Sequence, residues 1–223
     1  MELKTYPDKE MMMIDLADTL ASDLKNALLA HDRVSFAVPG GTTPGPVFDG
    51  LCDVHLDWDR VDVMLTDERW VDETSDRSNT RLLRQRLLTG RAASAQYVPL
   101  YNGAATPEDG LPSLQDGLAK TLPVDVMLLG MGADMHTASI FPGADQLDRA
   151  LNGGDLLVAM RAPGAPEPRI TLSAQVLKGA IRRHIVIIGE EKRIALEKAQ
   201  TLTPQEAPVA AILTGTIVHW AES

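Results

Sequence analysis

Three short clusters and two later cations in this 223-residue sequence carry groups suited to polar, anion-handling chemistry. Gly40-Gly41-Thr42-Thr43 follows a short apolar run and precedes a segment that opens with prolines. A glycine turn at a helix N-terminus exposes backbone N–H groups, and here two hydroxyls accompany them, which together make an anion site. The plainer reading is a tight turn that needs glycine for its backbone angles. It is not a Walker loop, because no Gly-Lys-Ser/Thr follows. Asp67-Glu68-Arg69 sets a carboxylate and a guanidinium two residues apart. As a surface ion pair it has small energetic weight. In a cleft, Arg69 joins Arg169 and Lys192 as cations for a phosphate clamp, Arg through bidentate bonds.

The third cluster is Gly130-Met131-Gly132-Ala133-Asp134-Met135-His136. It superficially matches a dinucleotide fingerprint, but Met135 stands where the third glycine belongs, so NAD binding is disfavoured. His136 follows this turn at once. A lone His is more often structural than catalytic. Its place beside a glycine-rich turn after an apolar strand favours catalysis, since imidazole can take a proton from water near neutrality and return it. His31, His55, His184 and His219 have no comparable setting. No His-x-x-x-His or His-Glu pair suits a zinc hydrolase, and no Gly-x-Ser-x-Gly elbow suits a serine hydrolase.

The elements that must hold these groups alternate. Met12, Leu16, Leu20, Leu24, Ala27 and Leu28 recur in steps of three and four, which makes a helix stripe. Val34–Val38 reads as a buried strand, and Pro46–Cys52 as a helix with proline at its start. Val61–Leu65 is a second strand. Ser78 is a candidate cap for a helix through Leu88. A helix is expected between Pro107 and Leu122, and a strand over Val124–Leu129. Strands are expected at Leu156–Met160, Ile170–Leu172, Ile185–Ile188 and Ile217–Trp220, with helices over Ala174–Ala180 and Glu190–Gln200. The alternation predicts one α/β domain over residues 1–223, with a mostly parallel sheet flanked by helices. In such sheets ligands sit beyond the strands' carboxyl ends, where all three clusters fall.

Composition narrows the partners. Thirty-one acidic and 21 basic residues give a net charge of −10. That argues against a nucleic-acid surface, which needs clustered Lys and Arg. It permits a few cations focused in one cleft. Cys52 is the only cysteine, so no internal disulfide and no paired-cysteine zinc site exists. The first residues have no apolar run of the signal-peptide kind, and no stretch approaches 18 apolar residues, so no membrane span is expected. The expected setting is cytoplasmic, and the expected form a monomer or small homo-oligomer.

The fragments resemble the 6-phosphogluconolactonase family. They run in order: Pro39-Gly-Gly-Thr-Thr-Pro44; Asp67-Glu-Arg-Trp-Val71 with Ser78-Asn79; Leu129-Gly-Met-Gly-Ala-Asp-Met-His-Thr-Ala-Ser-Ile-Phe-Pro142; Pro168-Arg-Ile-Thr171; Gly189-Glu-Glu-Lys192. The resemblance implies a fold like that of the glucosamine-6-phosphate deaminase and ribose-5-phosphate isomerase group. It implies hydrolysis of 6-phospho-D-glucono-1,5-lactone to 6-phosphogluconate in the oxidative pentose phosphate pathway, a chemistry for which no metal and no organic cofactor is expected. It makes His136 the catalytic base and puts Asp67 in the same site. Gly40, Gly41, Thr42, Thr43, Arg69, Arg169 and Lys192 become the groups for substrate, phosphate or oxyanion. The family usually has glycine just before this histidine; here Met135 stands there. Two alternatives stay open: a sugar-phosphate isomerase or deaminase of the same fold group with Asp67 as base, and a non-catalytic sugar-phosphate sensor.

Overall fold

The computed structural model describes residues 1–223. In chain order the strands and helices are β1 (Glu2–Thr5), α1 (Lys9–Ala30), β2 (Val34–Val38), α2 (Gly45–Leu51), β3 (Val61–Leu65), β4 (Asp67–Arg69), α3 (Asn79–Arg86), β5 (Gln96–Val98), α4 (Pro107–Leu118), β6 (Val126–Gly130), α5 (Leu147–Asn152), β7 (Leu157–Met160), β8 (Arg169–Leu172), α6 (Ala174–Gly179), β9 (Arg182–Ile188), α7 (Glu190–Ala199) and β10 (Ile217–Ala221). Short 3₁₀ turns punctuate the connections. None of the helices is long and apolar enough to cross a membrane.

Local chemistry explains the helix starts. Asp8 caps α1 by accepting from the Met11 amide, and Ser78 caps α3 by accepting from that of Arg81. Each cap satisfies an N–H that has no partner within its helix. The α1 stripe faces inward: Met12, Leu16, Leu20, Leu24 and Leu28 are buried, while Ala27 is only half-buried. β2 is buried at every position. That is the mark of a central strand covered on both faces, and it explains an apolar run without alternation.

The main sheet has seven strands in the order β1-β10-β9-β6-β2-β3-β5. All its pairs are parallel. After β2 the chain moves outward through β3 to β5. It then returns to β6, on the other side of β2, and moves the opposite way. The connections therefore diverge between β2 and β6, which opens a crevice at the carboxyl ends of those two strands.

A second sheet departs from the sequence expectation. Leu157–Met160 and Arg169–Leu172 are strands, but not of the parallel sheet. They form an antiparallel sheet of order β4-β8-β7 with Asp67–Arg69. Asp67 pairs with Thr171, and Arg69 with Arg169. This small sheet stands over the crevice and carries site residues from two distant parts of the chain. Both sheets share one apolar core, which runs from Phe36 and Leu128 to Leu157 and Ile170.

Candidate active site

A cavity of about 210 Å³ opens at the β2/β6 divergence. Its wall includes Gly40, Gly41, Thr43, Asp67, Arg69, His136, Arg169 and Lys192, so eight of the nine residues singled out from sequence meet there. Thr42 does not: it is exposed and is not part of the wall. One placement also differs: Arg169 opens β8 rather than preceding it, while Lys192 sits in the first turn of α7, inside the helix expected there. A larger groove of about 610 Å³ runs between α1 and α2, but it offers Asp8, Glu10 and Asp18 with Lys9, and no imidazole or guanidinium.

The β2–α2 turn is held against α3. A Cβ on Gly40 would collide with the Asn79 side chain, so only glycine permits this approach. Asn79 in turn donates from Nδ2 to the Asp67 carbonyl at 3.0 Å. Glu68 anchors the same corner from below. Its buried carboxylate accepts from the amides of Arg69 (2.7 Å), Asn79 (2.9 Å) and Thr80 (2.7 Å) and from the Thr80 hydroxyl (2.7 Å). Burial pushes the Glu68 carboxyl above its ordinary range despite these donors. Sequence reading treated Glu68 only as a neighbour of Asp67 and Arg69; it is the post that fixes β4 to α3.

Asp67 and Arg69 lie two apart on a strand and so face the same side. Asp67 does not pair with Arg69. Its Oδ2 accepts from Ser139 Oγ at 2.6 Å and lies 3.8 Å from Arg169 Nη1. Arg69 donates from Nη1 to the Arg77 carbonyl at 2.5 Å. The Nε atoms of both Arg69 and Arg169 are buried without a partner in the chain. A buried N–H left unpaired is costly, which marks both guanidinia as waiting for an acceptor. Burial lowers the Arg169 guanidinium from its ordinary value, while Asp67 pulls it back up. It stays cationic, as Arg does in proteins.

His136 is held differently. Its Nδ1 lies 2.5 Å from Asp134 Oδ1, which also accepts from the His136 amide at 3.2 Å. An ionised carboxylate only accepts, so Nδ1 carries the proton and Nε2 is left with its lone pair. Burial alone would raise the Asp134 carboxyl; the hydrogen bonds and charge of His136 outweigh that and hold it below its ordinary value. The imidazole packs against Phe141, with ring centroids 4.3 Å apart. A Cβ on Gly132 would strike the imidazole, so this glycine makes room for it. Asp134 and Ser139 are the functional candidates that sequence reading passed over. A carboxylate two residues before a histidine in a tight turn was the available signal for the first; nothing local marked the second.

Met135, where the family usually has glycine, keeps a glycine-like backbone path. Its φ is 67°, in the left-handed region that favours glycine, and Ala138 follows at 50°. The turn closes because the Met135 amide donates to the Gly132 carbonyl (2.9 Å) and the Gly132 amide to that of His136 (3.0 Å). The Met135 side chain leaves the crevice and packs on the core.

A crevice at the diverging ends of a parallel sheet, with one oriented imidazole and three cations, defines an α/β enzyme for a small anionic substrate. The chain belongs to the family of glucosamine-6-phosphate isomerases and 6-phosphogluconolactonase, whose model matches residues 7–220. A Rhizobium meliloti protein named 6-phosphogluconolactonase is 39% identical over 215 residues, covering 92% of each chain. A Pseudomonas aeruginosa protein of the same name is 38% identical over 210 residues, covering 92% of this chain and 88% of that one. The crystal structure of a 6-phosphogluconolactonase from Shewanella baltica superposes with a TM-score of 0.95 at 34% identity, covering 99% of this chain and 97% of that one. A monomeric glucosamine-6-phosphate deaminase shares the fold, with a TM-score of 0.81 at 16% identity.

Proposed function

We propose that this chain hydrolyses 6-phospho-D-glucono-1,5-lactone to 6-phosphogluconate, with His136 as the general base. The observation that carries the reading is the Asp134–His136 pair in a crevice that also holds Arg69, Arg169 and Lys192. Relatives at 38–39% identity that bear the lactonase name support the substrate. The cavity, about 210 Å³, is smaller than the roughly 300–1,000 Å³ of drug-sized ligand pockets and suits one phosphorylated sugar ring.

A δ-lactone is an activated ester, so the chemistry needs modest help. His136 Nε2 takes a proton from water as its oxygen attacks C1. Asp134 keeps the imidazole in the productive tautomer and stabilises the imidazolium that forms. The tetrahedral oxyanion draws on N–H groups and on the cationic side chains, which are fixed before reaction and so need no reorganisation. As the C1–O5 bond breaks, the imidazolium returns its proton to the ring oxygen. The phosphate, remote from C1, is held by Arg169 and Lys192 and orients the ring. Asp67 works through position: with Ser139 it aims the Arg169 guanidinium.

The test is hydrolysis of fresh lactone, made in situ, by purified protein with the spontaneous rate subtracted. Turnover above that rate supports the reading. Retained binding of 6-phosphogluconate without turnover would replace it with the sensor reading.

A further inference from the structure

Outside the crevice, a run of titratable groups lies between α1 and the β1/β10/β9 side of the main sheet. Asp15 Oδ2 lies 2.5 Å from Tyr6 Oη. Tyr6 Oη lies 2.7 Å from His219 Nδ1. His219 Nε2 lies 3.0 Å from His184 Nδ1, and His184 Nε2 lies 2.9 Å from Asp23 Oδ2. Both imidazoles are about 1% exposed. The chain of contacts therefore begins on one α1 carboxylate, crosses two strands and ends on another.

Counting protons along it gives a definite result. Four contacts in series need four protons, one in each gap. Ionised Asp15 and Asp23 bring none. The Tyr6 hydroxyl and two neutral imidazoles bring three. Whatever tautomers are chosen, one gap then holds two facing lone pairs, and Tyr6 and both imidazoles are buried, so that only the two end carboxylates reach water. Such a gap costs far more than a made hydrogen bond returns.

We infer that the run Asp15–Tyr6–His219–His184–Asp23 is a buried proton-binding site, occupied near neutral pH by one proton beyond the ordinary complement, which makes His184 an imidazolium paired with Asp23. His184 then donates from both nitrogens, Nδ1 to His219 and Nε2 to Asp23. His219 donates from Nδ1 to Tyr6, and Tyr6 donates to Asp15. Every gap is filled once.

The neighbours decide where the proton sits. Lys4 on β1 donates to Asp15 Oδ2 at 2.7 Å. The hydrogen bonds from Lys4 and then Tyr6 hold the Asp15 carboxyl below its ordinary value, so it is not the acid. Burial and then Asp15 raise the Tyr6 hydroxyl, so it keeps its proton. Burial, and then the charge of His184, push His219 down to about 4, so it stays neutral. β6, the other strand beside β9, places Leu128 against His184 and offers no charge. Asp23 lies at the rim, where His31, Asp125 and Arg182 line the same groove, and its side chain is 21% exposed.

The consequence is a linkage. Above the ordinary imidazole range of about 6.5, the folded chain holds a proton that the unfolded chain releases, so stability falls as pH rises. One proton makes the unfolding equilibrium constant rise about tenfold per pH unit. Asp23→Asn supplies the missing hydrogen from its amide, so His184 can be neutral and every gap is still filled. We expect chemical denaturation of the full chain between about pH 7 and 8.5 to show a slope smaller by one proton in Asp23→Asn than in wild type. Lactone hydrolysis serves as the folding control, because Asp23 is remote from the crevice. Equal slopes in the two proteins overturn the inference. Independently of any variant, nitrogen NMR of wild-type side chains at about pH 7.5 should find His184 protonated on both nitrogens and His219 on Nδ1 alone. A neutral His184 there overturns it as well.

Discussion

Two histidine sites in this chain use the same side chain against a carboxylate and reach opposite ends. His136 has one partner, Asp134, and its second nitrogen faces an open crevice; the side chain is 29% exposed. His184 has both nitrogens committed, to Asp23 and His219, and is sealed. A carboxylate partner alone therefore does not mark a catalytic histidine. What marks it is the nitrogen left over, and whether a small molecule can reach it. The backbones differ in the same sense. His136 sits in a turn bracketed by left-handed residues, whereas His184 sits mid-strand in a parallel ladder. Strain is carried where a side chain must be aimed and is absent where it only needs to be packed.

The strongest way to break this comparison is His136→Ala. The enzyme-dependent rate should fall by about 10²–10⁴-fold, the usual cost of losing a general base, with the fold intact. Circular dichroism and initial rates on fresh lactone check both halves. A folded variant with near wild-type turnover would remove His136 from the mechanism. Asp134→Asn comes next. The amide keeps the shape but loses the charge that supports the imidazolium, and it can present an N–H to Nδ1 and so favour the wrong tautomer. We expect kcat to fall by about 10²-fold with KM little changed. A loss confined to KM would make Asp134 a binding residue instead.

Lys192→Ala and Arg169→Ala should act on recognition more than on chemistry. A charged hydrogen bond contributes about 1.5–3 kcal/mol, so kcat/KM for the 6-phosphorylated lactone should fall roughly 10–150-fold. Unphosphorylated glucono-δ-lactone should be far less affected. Equal losses on both substrates would assign these cations to C1 or to folding. Arg169 is the more exposed of the two to that outcome, because it lies 5.6 Å from the Phe141 ring that packs on His136.

How legible all this was in the sequence depended on what holds each element. β2 and β3 were read to the residue because they are central strands whose apolar runs are dictated by burial on both faces. β1 and β5 were missed. They lie at the two edges of the sheet, are short, and carry Glu2, Lys4 and Gln96 with no period to read. β4 was missed for another reason. Asp67-Glu68-Arg69 has no strand propensity; β8 pairing and the Glu68 anchor impose its conformation, and both come from remote chain. The crevice was legible because its residues cluster at strand ends. The proton chain was not, because Asp15, Asp23, His184 and His219 are ordinary polar residues until the sheet order brings them together.

Met135 gives the smallest expected effect and the finest test of where strain is carried. A non-glycine residue at φ 67° costs about 1–2 kcal/mol, so Met135→Gly removes that cost. Against it stand the looser unfolded chain, about 0.5–1 kcal/mol, and the lost packing of a half-buried side chain, about 1 kcal/mol. These nearly cancel, and the net change in stability should lie within about 1 kcal/mol. Met135→Ala resolves the sum. It loses the same packing and keeps the strain, so it should be less stable than Met135→Gly, the reverse of the order expected where φ is negative. Turnover should survive both changes, because the Met135 side chain packs on the core while its amide and carbonyl, retained in every variant, close the turn onto Gly132 and bond Val209. Chemical denaturation of the three proteins beside their lactone rates decides it. Ala more stable than Gly would mean that the turn relaxes when the side chain shrinks. Loss of turnover in Met135→Gly would mean that the thioether itself, and not only the backbone, holds His136 in place.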